Sequence, residues 1–381
     1  MRPYEDSAHP VSVSAVSVVR RSKVATAPST ALESAPRASV IIVNYNGREY
    51  LEECLRSLLN KDRRDYEVIL VDNASTDGSA EYVEQVFPEV LVIRNEANQG
   101  FAQGNNVGAR WAKGEYLAFL NPDTVVEPGW LEALIAALDT DPQAGLATSK
   151  ILLLADPRRI NTCGNDVHYT GLTLCRGMGM DYSTLTKPIE VNAVSGAAFV
   201  IRKDVFGALG GFDEAFFLYM EDTDLSWRAR LAGYRCIYVP SSVVYHDYTL
   251  RFGPEKTFYQ ERNRYLMLLK GLRWPTLLFL LPTLLLAEVV TWGFVLLQER
   301  RRLANKLRAY AWIVKHWGEI VESRRQVQTM RRVRDRDLIA RCTYRLAYEQ
   351  TGSGLIARLA HLVFDPLFFV LHRLALVLIW W

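Results

Sequence analysis

"SVIIVNYNGREYLEECLRSLLN", residues 39–60, changes period partway along, and that change decides the fold. Val40–Val43 is an unbroken β-branched run, as expected of a strand covered on both faces. From Arg48 onward the apolar residues return at helical spacing, so an amphipathic helix follows the strand. The same alternation recurs downstream. "YEVILVDNAS" (66–75) precedes "DGSAEYVEQVF" (77–87), "VLVIRNEA" (90–97) precedes "GFAQGNNVGARWA" (100–112), and "YLAFLNPD" (116–123) is a further strand. Repeated strand–helix units predict an α/β fold, a mostly parallel sheet covered by helices.

Right-handed crossovers put the carboxyl ends of these strands on one edge. That edge collects Asn44, Tyr45, Asn46, Asp72, Asn73, Asn98 and Asp123. In "LAFLNPDTVVEPGW" (117–130), Pro122 lacks a backbone donor and ends the ladder. Asp123 is thereby fixed where open α/β sheets bind ligands. The other reading of Asp123 is an Asx turn before a helix at Trp130–Leu138. Asp72, closing its strand, suits hydrogen bonds to a ribose or a base. The glycines of "NQGFAQGNNVG" (98–108) let backbone approach a ligand, with Asn98, Asn105 and Asn106 as neutral donors and acceptors.

The chain has 381 residues and a net charge of +3. No GxGxxG follows a strand and no GxxxxGK[ST] occurs, so dinucleotide and P-loop chemistry are unsupported. The five cysteines are widely separated with no CxxC pair, which suggests a reducing compartment and no metal-thiolate cluster. No nucleic-acid partner is expected. Residues 1–38, rich in Ser, Ala, Val and Pro, read as a disordered leader without a signal peptide.

A second group of chemistry-bearing residues lies in "YMEDTDLSWRARLAG" (219–233). Its helix has acids in the first turn and bases later, which favours the macrodipole. Asp222 at the helix start could act as general base, held ionised by the helix N-terminus. Asp224 reads as capping this helix or pairing with Arg228. Asp123 and His246 together could bind a divalent cation, and oxygen-rich ligation with one nitrogen suits Mn2+ or Mg2+ better than Zn2+.

Residues 274–381 change character. Thr276–Leu297 is long enough to span a bilayer but contains Pro282 and Glu288. Residues 298–350 hold 14 Lys/Arg against 6 Asp/Glu, a net of 14 − 6 = +8. Residues 355–381 are apolar again and amphipathic. A single crossing by 276–297 would put the basic stretch opposite the catalytic domain, against the positive-inside tendency. A peripheral or re-entrant attachment to the cytoplasmic face of the cell membrane follows, with the basic stretch against anionic head groups. The alternatives are a helical subdomain that buries these faces in protein, or a homo-oligomer.

Together "VIIVNYNG", "VDNASTDGS", "NQGFAQGNN", "FLNPDT", "SGAAFVIRKDVF", "GGFDEAFFLYMEDTDLSWRARLAGY" and "VVYH" resemble a family 2 glycosyltransferase of the GT-A fold, rhamnosyltransferase-like branch. The resemblance spans about residues 39–273, the expected catalytic domain. It implies an inverting, metal-dependent transfer of a sugar from a nucleotide sugar, dTDP-rhamnose or a UDP-sugar. The implied acceptor is a hydroxyl of a polyprenyl-linked saccharide. Asn44, Tyr45 and Asp72 would hold the nucleoside, and Asn105 would lie near the sugar or phosphate. Asn46, Asn98, Gly100, Asn121, Gly196 and Glu221 complete the expected donor site. Asp123 matches the metal-binding acid of a DxD-type motif, His246 a later metal ligand, and Asp222 the catalytic base. Asn121 departs from the pattern, standing where many relatives carry the first Asp. Two rivals remain. A sugar-nucleotide pyrophosphorylase lacks its Gly-rich basic loop here, and a silent carbohydrate-binding scaffold would show no turnover.

Overall fold

The computed structural model describes residues 16–18, 35–59, 65–248, 255–298, 300, 303–350 and 354–381. Apart from 16–18 and 35–38, the leader lies outside the described residues. β1 (Val16–Val18) is an edge strand, where the sequence suggests no structure. The alternating units follow: β2 (Ala38–Asn44), α1 (Arg48–Leu59), β3 (Tyr66–Asp72), α2 (Ser79–Val86), β4 (Leu91–Asn95), α3 (Gly100–Trp111) and β5 (Tyr116–Leu120). Then come β6 (Thr124–Val126), α4 (Trp130–Thr140), β7 (Ala144–Leu153), β8 (Ile160–Thr162), β9 (Asn165–Val167), β10 (Thr173–Cys175) and β11 (Ile189–Val191). β12 (Ala198–Arg202), α5 (Lys203–Ala208), α6 (Glu221–Leu231) and β13 (Arg235–His246) complete the mixed sheet.

Its strand order is β1-β4-β3-β2-β5-β12-β7-β13-β11. The block β4-β3-β2-β5 is parallel, as the alternation predicts, with every residue of β2 buried. β12 inserts antiparallel between β5 and β7. "YRCIYVPSSVVYH" reads as two short strands, but it forms the single strand β13. A register shift between Val239 and Val243 accommodates Pro240, which cannot donate to a ladder. α3 sits close on the sheet: a Cβ at Gly108 would meet Ile41 Cγ2 at 2.5 Å, and one at Gly104 would meet Val43 Cγ1 at 2.8 Å. These two glycines therefore serve helix–sheet packing and not the approach of a ligand.

The remaining helices are α7 (Lys256–Gly271), α8 (Trp274–Phe279), α9 (Leu281–Gln298), α10 (Leu303–Lys315), α11 (Trp317–Thr329), α12 (Asp335–Arg341) and α13 (Gly354–Leu378). The apolar run 276–297 is broken at Leu280 into α8 and α9. Glu288 of α9 points into protein, where it meets Arg264, Tyr265, Tyr310 and Lys306. Burial disfavours its charge, but Arg264 and Lys306 outweigh burial and hold its carboxyl down at about 2. An ionised, paired Glu288 anchors α9 to α7 and α10. Among the described residues it is α13 that is long and apolar enough to cross a membrane, by length and composition alone.

Part of the basic stretch is used inside the protein. Arg324 donates to the carbonyls of Leu269 and Leu272, Gln328 to those of Lys270 and Gly271, and Arg331 to Gly271. These are the orphan carbonyls at the C-terminus of α7, where cations also suit the dipole. Lys306 is fully buried between Glu261 and Glu288. Three of the stretch's cations thus hold α7 in place.

Candidate active site

Parallel register sets Asn44 beside Asp72 at the ends of β2 and β3. Asn44 Nδ2 donates to Asp72 Oδ1 at 3.4 Å and to Ser75 Oγ at 3.2 Å, while its Oδ1 is buried without a partner. Asp72 Oδ2 accepts from the Ser75 amide at 3.0 Å, closing the turn after β3. Asn46, in the left-handed region, accepts from Thr76 N at 2.8 Å and ties the two loops together. Tyr45 is half-buried between these groups in the chain. Asn98 Oδ1 accepts from the Gly100 amide, an Asx turn that starts α3. Gly100 has φ +77, and a Cβ there would meet Phe217 O at 2.5 Å. Asn105 is buried and donates to Phe101 O one turn back at 2.9 Å. Asn106 is a structural bridge, exchanging hydrogen bonds with Phe212 N and O.

Asp123 and His246 come together through a short antiparallel pairing. β6 opposes the end of β13, with Thr124 facing His246 and the Asp247 amide donating to Asp123 O. Asp123 Oδ1 lies 3.3 Å from His246 Nε2, and both side chains are about nine-tenths buried. Asn161 Oδ1 lies 3.0 Å from His246 Nδ1. With Asn161 accepting, the ring proton sits on Nδ1 and the Nε2 lone pair is directed at Asp123. Asp123 Oδ1 has no hydrogen-bond partner there. A buried carboxylate oxygen and an imidazole lone pair that share a gap without a hydrogen bond fit a divalent cation. Asp123 and His246 would hold it; among the described residues no cluster of three or more His, Cys, Asp or Glu forms a fuller site.

Asp222 lies on the same strip of sheet edge. The Asn121 amide donates to Ala197 O, and the neighbouring Gly196 amide donates to Asp222 Oδ2 at 2.7 Å. A Cβ at Gly196 would come within 3.3 Å of that oxygen. Asp222 also accepts from Thr223 N at 2.6 Å and from Asn165 Nδ2 at 3.4 Å. The helix N-terminus suggests a carboxylate of low pKa, but burial reverses the direction. Desolvation raises Asp222 above its ordinary value against the bonds from Gly196 and Thr223. Glu221 beside it is raised further, by burial and then by the charge of Asp222, and its Oε2 is buried without a partner. Asp224 stays structural, paired with Arg228 at 2.7 Å and Lys270 at 3.0 Å.

A base must be ionised to accept a proton, so the acid limb of the kcat/KM profile should lie above the ordinary aspartate range. Glu221 is raised further and is still protonated when Asp222 ionises, so Glu221→Gln should leave that limb in place. A limb moved to lower pH would show that Glu221 is already charged when Asp222 titrates. The same shift has a stability sign. Raised carboxyls favour the folded state at acid pH, and that stability is lost as pH rises through their folded pKa values. Glu221→Gln should therefore raise Tm at neutral pH.

Sequence reasoning missed what holds this helix. Phe217, Tyr219 and Met220, just before Glu221, all have positive φ (57, 67 and 66°), a costly conformation for such residues. Asn263 of α7 is fully buried, and its Nδ2 lies 3.0, 3.0 and 2.7 Å from the carbonyls of Phe216, Leu218 and Tyr219. Arg262 donates to Ala215 O and Phe216 O. Phe217 O in turn accepts from Phe101 N at 2.7 Å, linking the loop to the start of α3. While Phe216 O keeps Arg262, Asn263→Leu leaves the carbonyls of Leu218 and Tyr219 without this donor, at about 1–3 kcal/mol each for an unmade bond. Its turnover should fall with little change in donor affinity, read by kcat against donor Kd.

Residues 39–209 match the family model described as "Glycosyl transferase family 2". Over 240 residues the chain is 32% identical to the N-acetylglucosaminyl-diphospho-decaprenol L-rhamnosyltransferase of Mycobacterium tuberculosis, covering 54% of this chain and 75% of that protein. Among solved structures, GalNAc-T7 with UDP, GalNAc and Mn2+ superposes with TM-score 0.52 at 23% identity, covering 62% of this chain and 48% of that one. Staphylococcus aureus TarS 1–349 in complex with UDP-GlcNAc gives TM-score 0.51 at 18% identity, covering 88% and 90%. At such identities the two structures speak for the fold.

Proposed function

This chain belongs to glycosyl transferase family 2 and is a glycosyltransferase, and we propose that it inverts configuration at the transferred sugar. The proposed donor is a nucleotide sugar, dTDP-rhamnose before any UDP-hexose. The proposed acceptor is a hydroxyl of a polyprenyl-linked saccharide used in cell-wall or surface polysaccharide assembly. The similarity to a rhamnosyltransferase named for a diphospho-decaprenol substrate supports both choices. One observation carries the reading. The Asn121–Ala197 and Gly196–Asp222 hydrogen bonds hold the Asp123–His246 pair and the buried carboxylate of Asp222 on one strip of the sheet edge.

Asn44, Tyr45, Asn46 and Asp72 receive the nucleoside at the ends of β2 and β3. Asn98, Gly100, Asn105 and Asn121 line the way to the diphosphate and sugar, with Gly196 and Glu221 beside the base. The oriented carboxylate of Asp222 takes the proton of an acceptor hydroxyl as that oxygen bonds to the anomeric carbon. The bond to the nucleoside diphosphate breaks on the opposite face, so configuration inverts. A divalent cation, Mn2+ or Mg2+, would be held by Asp123 and His246 and would supply charge neutralisation at the leaving diphosphate. Burial of Asp222 serves this role, because a base with a raised pKa binds the transferred proton more strongly.

We further propose that the enzyme works at the cytoplasmic face of the cell membrane, and that residues 39–273 form the catalytic domain with 274–381 as the membrane-associating region. The experiment is donor turnover by the purified chain with Mn2+, across dTDP-rhamnose, UDP-GlcNAc, UDP-galactose and UDP-glucose, with a lipid-linked saccharide present and absent. Selective release of dTDP that depends on the saccharide is the expected result. Release of UDP would move the donor to a hexose. Silence with all four donors would contradict the reading.

A further inference from the structure

We infer that α8, α9 and α13 present one apolar surface that inserts into the interface of an anionic phospholipid bilayer, with α13 lying in the membrane plane and not across it. The inference rests on the reading of a membrane-bound acceptor and adds which surface touches lipid and how. α13 has 25 residues, about 37 Å at 1.5 Å per residue, so its length alone would allow a span. Its inward face decides otherwise. Tyr169 of the catalytic domain donates to Phe368 O at 2.8 Å, and His372 Nε2 lies 2.9 Å from Ile339 O. His361, about two turns from the start, meets Glu349 of the preceding segment at 2.6 Å, and Asp365 of the same helix at 2.9 Å. Just beyond the other end, Trp381 Nε1 donates to Thr276 Oγ1 at 2.8 Å. The bonds that His361, Phe368, His372 and Trp381 make to groups outside the helix tie it lengthwise to the protein from His361 onward. A span would break them and strand polar groups in hydrocarbon.

The opposite face of α13 has no cover among the described residues. Leu355, Leu362, Val370 and Val377 fall on one side of the helix and are 53–77% exposed. α9 adds a stripe at four-residue spacing, Leu281, Leu285 and Val289, each about half exposed or more. The two helices are joined where Phe279, just before α9, packs on Trp381, just after α13, with ring centroids 5.9 Å apart. Contiguous exposed apolar surface of this kind marks an interaction site. Its fringe identifies the occupant. Trp274, Trp317 and Trp380 are 44–71% exposed, and tryptophan favours the head-group level of a bilayer. Arg273, Arg358 and Arg373 are exposed and form no ion pair among the described residues, so they suit anionic head groups; Arg373 falls on the stripe itself, between Val370 and Val377, where its long side chain can reach up to them. The same positive fringe disfavours a second copy of this chain as the cover, because like charges would face each other.

The test uses the full chain carrying single substitutions Leu355→Cys, Leu362→Cys, Val370→Cys or Val377→Cys, each labelled with a fluorophore. The native cysteines are buried or half-buried, and the parent chain supplies the background. Vesicles of phosphatidylcholine with phosphatidylglycerol carry quenching lipids at set depths. The expected result is four labels at one shallow depth, and binding that weakens roughly tenfold without phosphatidylglycerol or with Leu362→Asp. Labels at 362 and 370 at the bilayer centre, with 355 and 377 near opposite surfaces, would overturn the in-plane arrangement while leaving membrane attachment intact. No vesicle binding by the parent chain would overturn the surface itself. Transfer to lipid-linked saccharide in detergent, measured alongside, reports separately on the catalytic reading.

Discussion

Asp222→Asn is expected to lower turnover by about 10²–10⁴-fold, the range for loss of a positioned general base. Affinity for the nucleotide sugar should remain within a few-fold of the parent. The amide has nearly the shape of the carboxylate and can still accept from Thr223 N, but it cannot take a proton from the acceptor. One consequence of the geometry separates loss of chemistry from loss of structure. Asp222 Oδ2 accepts from the Gly196 amide, so an Asn NH2 placed there would set donor against donor. Thermal unfolding of the variant, and of Asp222→Ala, measures that disturbance independently of turnover. A folded Asp222→Asn protein that binds donor and transfers sugar at the parent rate would remove Asp222 from the role of base.

The second large effect belongs to Asp123. Asp123→Ala should lower kcat/KM by about 10²–10³-fold, the scale of one lost electrostatic contact to the developing charge. It should also raise the Mn2+ concentration needed for half-maximal rate. His246→Ala should act in the same direction but less, because the neutral imidazole contributes a lone pair and no charge. The two substitutions should be strongly non-additive, since their side chains face one gap at 3.3 Å. Calorimetric titration of Mn2+ into the protein with dTDP, or with UDP, reads the binding step apart from turnover. A parent enzyme fully active in excess chelator would remove the metal from the account.

The parallel half of the site is legible in the chain because each clue is local. Apolar runs that stop at Asn44, Asp72 and Asp123 fix strand ends, and alternation with helices fixes their common edge. The Asp224–Arg228 pair is legible for the same reason, being four residues apart on one helix. Partners chosen by tertiary packing are not. Asn161, Asn165 and Asn263 come from the loosely patterned region after Gly145 and from a helix where a buried amide has no periodic signature. The raised pKa of Asp222 escapes as well, since helix position is visible in sequence and burial is not. Hydropathy likewise misjudges the C-terminal region. It finds 276–297 long enough to span but cannot see that Arg264 and Lys306 draw Glu288 into protein. Charge counting sees eight excess cations in 298–350 but not the bare carbonyls at the end of α7 that Arg324 and Arg331 satisfy.

The most direct measurement on the central proposal is the anomeric configuration of the product. The purified enzyme, Mn2+, dTDP-rhamnose and a short-chain diphosphate-linked saccharide would be followed by proton NMR through the first turnovers. Direct attack by a hydroxyl deprotonated by Asp222 predicts a glycosidic bond of configuration opposite to that of the donor. A product that keeps the donor's configuration would require a second displacement or front-face attack, and would contradict the role assigned to Asp222.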